Sequence, residues 1–261
     1  MEQLAMSATG TTIRSIKSSL RSVLDFVFPP QCGLCGAVDF ESNSESGAYC
    51  PQCVELLCPA PVNRCKCCAA EIGPHSKSDD GCTHCRNRTL RFDSVVCLGM
   101  YESKLRQAIL SAKWSFSAVK IKSLGRLLAI HQQAELETLK IDRVIPIPQH
   151  WQQRVVRHFN PAWIIAREIA DRLNVPCDAH LLRKERRTRP QKRVAVSHRF
   201  ENQEDAFGLK DPHIVKGERL LLIDDVLTTG ATCSSAARLL KKAGAKSCHV
   251  AVLGRVLDHS A

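Results

Sequence analysis

A chain of 261 residues is long enough for one medium domain and a smaller companion. Hydrophobic residues make up 44% of it and the formal net charge is +11, which excludes wholesale disorder and favours a polyanionic partner such as nucleic acid or a phosphorylated metabolite. Fourteen cysteines, no secretory pattern in the first thirty residues and no run of about 18 apolar residues argue against a secreted disulfide scaffold and a membrane span, and predict a cytoplasmic protein with reduced thiols.

In chain order, residues 1–12 read as a loose polar start. Ile13, Ile16, Leu20, Val23, Leu24 and Val27 then recur at helical spacing, so residues 1–30 are assigned to an N-terminal helix that Pro29-Pro30 ends. Residues 31–90 are rich in Cys and Gly and poor in periodic pattern. Eight cysteines form four Cys-x-x-Cys pairs, Cys32/Cys35, Cys50/Cys53, Cys65/Cys68 and Cys82/Cys85, separated by 14, 11 and 13 residues. One such turn points two thiolates at an ion and a second completes a tetrahedral shell, so eight ligands suit two zinc ions. Four thiolates leave an ion no open position, which makes the sites structural, and the segment is predicted to be a double zinc-ribbon-like module. Sequential pairing is the simplest arrangement; interleaved pairing satisfies the spacing as well. Redox dithiols and an iron–sulfur cluster are the competing chemistries. His75 and His84 fit the spacing less well, Cys58 and Cys67 are off-pattern, and Cys97, Cys177, Cys233 and Cys248 are expected to be buried free thiols.

Beyond residue 90 the texture becomes that of an α/β domain reaching to residue 261. Ser94 to Met100 reads as a strand, residues 102–112 and 118–137 as helices, and Arg143 to Ile147 as a buried strand. Asn160-Pro161 is an N-cap followed by proline at the first helical position, and that helix should run to about Leu173. Residues 183–199 carry eight cations against Glu185 and read as a long loop. Leu220 to Ile223 is a strand, Ala231 to Ala243 a helix closed by Gly244, and Cys248 to Leu253 a last strand. The alternation predicts a parallel sheet with helices on both faces.

The sharpest motif runs from Leu220 to Thr232: an apolar strand, Asp224-Asp225 at its end, then Thr228-Thr-Gly-Ala-Thr232 opening a helix. In open α/β sheets ligands bind beyond the carboxyl ends of strands. Backbone N–H groups and hydroxyls of such a loop can surround a phosphate at a helix N-terminus, and Gly230 permits close approach. Two neighbouring carboxylates can accept hydrogen bonds from vicinal hydroxyls, which suits a ribose. This stretch resembles the phosphoribosyl pyrophosphate (PRPP) motif of the type I phosphoribosyltransferases. The resemblance implies that Asp224 and Asp225 hold ribose hydroxyls and that Thr228, Thr229, Gly230, Ala231 and Thr232 hold the 5′-phosphate.

Over roughly residues 24–256 the chain resembles the ComF family, which joins a cysteine-rich zinc domain to a phosphoribosyltransferase-like domain. The matching stretches are Tyr101 to Ile109 with Lys113; Pro146-Ile-Pro148 followed by Arg154, Arg157, Phe159 and Asn160; and Thr188-Arg-Pro-Gln191 through Arg199, Asn202 and Phe207. The resemblance implies a pyrophosphate-facing loop at Pro146, positive charge from Lys113, Arg154 and Arg157, and magnesium entering with PRPP. Lys113, Asp224 and Asp225 are the catalytic candidates. It also implies a role in DNA uptake during natural competence or in using DNA as a nutrient, with single-stranded DNA and competence or recombination proteins as candidate partners. The basic stretch 183–199 could close over pyrophosphate or grip a nucleic-acid backbone. Three functions remain open on sequence: a PRPP-binding protein of DNA uptake, an active phosphoribosyltransferase of nucleotide metabolism, and a single-stranded DNA-binding module without catalysis.

Overall fold

The computed structural model describes residues 31–38, 40, 47–59, 63–73, 81–114, 117–149, 159–184 and 207–257. The N-terminal helix expected before residue 30, Arg154, Arg157 and the basic stretch beyond Lys184 lie outside them. The elements in chain order are α1 (Pro51–Leu57), β1 (Val95–Met100), α2 (Ser103–Trp114), α3 (Ala118–His131), α4 (Gln133–Thr138), β2 (Arg143–Pro146), α5 (Pro161–Leu173), β3 (Leu182–Lys184), β4 (Phe207–Leu209), β5 (Arg219–Leu227), α6 (Ala231–Lys242) and β6 (Ser247–Arg255).

Four strands make a parallel sheet in the order β1-β6-β5-β2. Beyond β2 the edge is extended by a parallel bridge between Val144 and Cys177. β5 lies inside the sheet, and both its neighbours are parallel to it. Its side chains alternate as a two-residue period demands: Leu221 and Ile223 pack with α2, α3 and α5 on one face, Leu220 and Leu222 with α6 on the other. The sheet is therefore covered on both sides, which explains why its strands are near-continuous apolar runs. The alternation slips at the strand's end. Val226 packs with the first face and Leu227 with the second, the reverse of strict alternation, and the slip falls on Asp224 and Asp225.

The helices follow their sequence signals. Asn160 caps α5 by accepting the Ala162 N–H at 3.1 Å, with Pro161 at the first helical position. Ser117 caps α3 through the Lys120 N–H at 3.3 Å. α6 ends with Lys241 and Lys242 in its last turn, where cations offset the helix dipole. The helix expected over 118–137 is two helices, broken at Gln132. Arg183 and Lys184, the first residues of the expected long loop, belong with Leu182 to β3, which pairs antiparallel with Phe207–Leu209. Among the described residues no helix is long and apolar enough to cross a membrane.

Candidate functional site

The site lies at the carboxyl end of β5, where the strand hands over to α6. Asp224 and Asp225 are both half-buried there. The Asp225 carboxylate meets the Lys113 ammonium, from the last turn of α2, at 2.7 Å; the two side chains are 18% and 13% exposed. The Asp225 N–H donates to Asp224 Oδ1 at 2.9 Å. Burial and the neighbouring Asp225 charge push the Asp224 pKa up to about 7, against the pull of the Asp225 N–H and the charges of Lys113 and Lys184. Lys184, at the end of β3, stands 5.9 Å from the centre of the Phe207 ring, and burial pulls its pKa down. The Lys184 charge thus acts on Asp224, although the sequence places this lysine in a charged run with no strand signal.

The loop after β5 is built for close approach. Gly230 is buried at φ +80°, in the left-handed region, and is the N-cap of α6. A Cβ there would lie 3.2 Å from Leu90 and 3.3 Å from Phe92. Thr229 is buried and its hydroxyl accepts the Ala231 N–H at 3.3 Å, while Thr228 is exposed. No side chain of the N-cap residue closes the helix start, and the first amides of a helix have no partner within it. On the other side, Pro146 sits opposite Ile223 in the register, and the Ile147 N–H donates to the Ile223 carbonyl at 2.8 Å. The structure therefore gathers Lys113, Pro146, Asp224, Asp225 and Thr228–Thr232 at one sheet end.

The eight paired cysteines fall into two tetrads, Cys32/Cys35/Cys50/Cys53 and Cys65/Cys68/Cys82/Cys85, so the pairing is sequential. Within each, the ligand atoms lie inside 4.8 Å of one another. Sulfur–sulfur separations of 3.7 Å (Cys35–Cys50), 3.8 Å (Cys65–Cys85), 3.6 Å (Cys68–Cys82) and 3.9 Å (Cys82–Cys85) are far beyond a disulfide bond. They match the edge of roughly 3.8 Å that a tetrahedron with Zn–S bonds of about 2.3 Å requires. Each tetrad could hold a metal ion. Burial raises the Cys32 thiol, but the N–H groups of Cys35, Cys50 and Leu34 outweigh it and bring it down to about 6, towards the thiolate form that metals bind. Beside this tetrad the Tyr49 hydroxyl is fully buried with no hydrogen-bond partner, and burial first, then the charges of Cys32 and Cys53, raise its pKa. Among the scattered cysteines, Cys97, Cys233 and Cys248 are buried free thiols as expected, and Cys177 is half-buried.

Comparison with known proteins agrees with this architecture. The family model described as "Phosphoribosyl transferase domain" matches residues 161–258, which contain the acids and the loop. Competence protein F of Haemophilus influenzae is 26% identical over 198 residues, covering 73% of this chain and 84% of the relative. The DNA utilization protein YhgH of Shigella flexneri is 29% identical over 188 residues, covering 70% and 82%. Among solved structures, the glutamine PRPP amidotransferase of B. subtilis, complexed with ADP and GMP, aligns over 52% of this chain and 26% of its own at 22% identity and a TM-score of 0.35. A doubly covered parallel sheet that a phosphoribosyl transferase domain model matches in part, two cysteine tetrads before it and these relatives together bear out the resemblance to the ComF family.

Proposed function

We propose that the chain binds PRPP, or another ribose 5-phosphate group, at the tip of β5, and that this site serves DNA uptake or the use of DNA as a nutrient. The observation that carries the reading is the order of parts along one strand: two carboxylates at its end, then at once a turn through left-handed Gly230 that opens α6. Asp224 and Asp225 accept the ribose hydroxyls. The amides at the start of α6 and the hydroxyls of Thr228, Thr229 and Thr232 take the 5′-phosphate, aided by the positive end of the helix. Pyrophosphate lies toward Pro146, and Arg154 and Arg157 are the cations that the family resemblance assigns to it. Carboxylate oxygens are the donors magnesium prefers, and an ion arriving with PRPP would neutralise pyrophosphate charge. Lys113 pairs with Asp225; once ribose hydroxyls compete for that carboxylate, its ammonium can turn to the pyrophosphate. Zinc is the ion we assign to both tetrads, in a structural role, and a reducing compartment such as the cytoplasm suits them.

The setting in DNA uptake or DNA use rests on the two relatives named for competence and DNA utilization, and the formal net charge of +11 suits a polyanionic partner. As an active enzyme, the same site would join the anomeric carbon to a nucleobase nitrogen as its bond to pyrophosphate breaks, with the cations stabilising the departing pyrophosphate and the base giving up its N–H proton. Calorimetric titration of the metal-loaded protein with PRPP and magnesium tests the binding. A saturable heat at one site per chain is expected. Asp225→Asn should weaken it about tenfold or more, because charge-assisted bonds to the hydroxyls are lost. No heat with the wild type at millimolar PRPP, on the order of ordinary substrate affinities, would overturn the proposal.

A further inference from the structure

Arg255, the last residue of β6, is the one charged side chain among the described residues that is fully buried, at 3% exposure. Its hydrogen bonds go to main-chain carbonyls. Nε donates to the Cys68 carbonyl at 2.8 Å. Nη1 donates to the Leu227 carbonyl at 3.1 Å, and to the carbonyls of Thr228 and Val256. Cys68 belongs to the second cysteine tetrad; Leu227 ends β5 and Thr228 begins the phosphate loop. One rigid, planar group therefore joins the tetrad to the loop. A buried guanidinium needs nearby negative charge, and four thiolates around a divalent ion carry a formal charge of about −2.

The consequence for the loop follows from peptide geometry. In a trans peptide the C=O and the next N–H point in opposite directions on one rigid plane. Pulling the Leu227 and Thr228 carbonyls inward to Arg255 therefore turns the N–H groups of Thr228 and Thr229 outward, away from the guanidinium. An independent tie grips the loop's far end. The Ser234 hydroxyl, in the first turns of α6, accepts the Arg91 N–H at 2.9 Å and donates to the Thr89 carbonyl at 3.3 Å. Residues 89–91 follow closely on Cys85 of the same tetrad.

We propose that Arg255 is a positioning residue: it aims the amides of the phosphate loop and transmits the metal state of the second tetrad to them. Among the described residues the first tetrad has no such link; its neighbour Ala48 is tied instead to Ser123 of α3 at 2.9 Å. The inference rests on the reading of Thr228–Thr232 as the phosphate loop, but its first readout needs no ligand. Amide hydrogen exchange is measured peptide by peptide on the metal-loaded wild type, Arg255→Lys, Arg255→Met, Cys68→Ser and Ser123→Ala, alongside the metal count. Lysine keeps the charge but cannot span both sets of carbonyls. In Arg255→Lys the metal count should stay that of the wild type and exchange in β1 and α5 should be unchanged, while peptides covering residues 225–233 exchange about tenfold faster or more, the effect of losing charge-assisted bonds. PRPP affinity should fall by about the same factor. Cys68→Ser should reproduce the loop effect and Ser123→Ala should not. Where Arg255→Met or Cys68→Ser does not fold, Arg255→Lys against Ser123→Ala decides. Loop exchange in Arg255→Lys equal to wild type, or matched by Ser123→Ala, overturns the inference. Absence of PRPP binding in the wild type would instead strike the reading of the site and leave the exchange result standing.

Discussion

A carboxyl group placed where Asp224 sits is pressed toward its neutral form by two effects of the same sign, burial and the charge of Asp225 next to it. Its folded pKa of about 7 lies above the ordinary 3.8, so folding takes up a proton between those values. The resulting stabilisation is fully present below about pH 4 and is lost as the pH rises to about 7. Asp224→Asn should remove this slope, so that the variant gains on the wild type in urea melts taken from about pH 5.5 to about 8. Ligand binding has the opposite sense. Ribose hydroxyls donate to an ionised carboxylate, so PRPP affinity should rise through pH 7 and binding near about pH 6.5 should release a proton, read as a buffer-dependent heat. Heats and affinities independent of pH and buffer would remove Asp224 from the sugar site. At this scale the sequence was informative wherever the residues are consecutive, as in Asp224-Asp225 and Thr228–Thr232. It was silent on Lys184 and Arg255. The Lys184 charge acts on Asp224 across some forty positions, and the predicted last strand stops at Leu253, two residues short of Arg255.

Elements show the same division. Asn160 was legible as a cap because an N-cap and a following proline act within one turn, and the structure adds a second duty that no local pattern reveals. While its oxygen accepts the Ala162 N–H, its amide donates to the Ile147 carbonyl at 3.0 Å, tying the start of α5 to the loop after β2. Asn160→Ala should therefore cost about 1–2 kcal/mol in urea unfolding, a cap plus a tertiary bond. Asn160→Asp, which keeps the acceptor and loses the donor, should fall between the two. A cost within error of zero for alanine would mean that water replaces both bonds. The break at Gln132 was not legible, since the stretch around it contains neither Gly nor Pro. Nor were β3 and β4, three residues each, because strands that short carry no periodicity and are fixed only by their pairing. The strand β5 itself runs four residues past its predicted end, through both acids to Leu227, because pairing with β6 continues there despite the polar side chains.

For the whole molecule, what the cysteine spacing left open is how tightly the metal-binding turns are joined to the sheet. Cys32, Cys50 and Cys53 lie in the same apolar cluster as α2, α3 and α5. The second tetrad forms a small cluster of its own, yet three bonds fasten its segment to the sheet: the Val95 N–H to the Lys66 carbonyl at 3.0 Å, Arg64 to the Cys97 carbonyl at 2.8 Å, and Arg255 to the Cys68 carbonyl at 2.8 Å. Stripping the ions should accordingly not release a pendant module from an intact sheet. Structural zinc contributes about 10 kcal/mol or more where folding depends on it, comparable with the entire stability of an ordinary domain, about 5–15 kcal/mol. Without metal, the buried thiols of each tetrad must also take up protons and lose the tetrahedral frame that spaces them. The chelated protein is expected to lose its cooperative melt by circular dichroism and to lose exchange protection in β1 and in residues 225–233 together, in step with metal release, and to recover both when zinc is restored. A sheet that keeps its protection over residues 93–257 with both ions gone would show that the tetrads and the sheet, though in contact, fold independently.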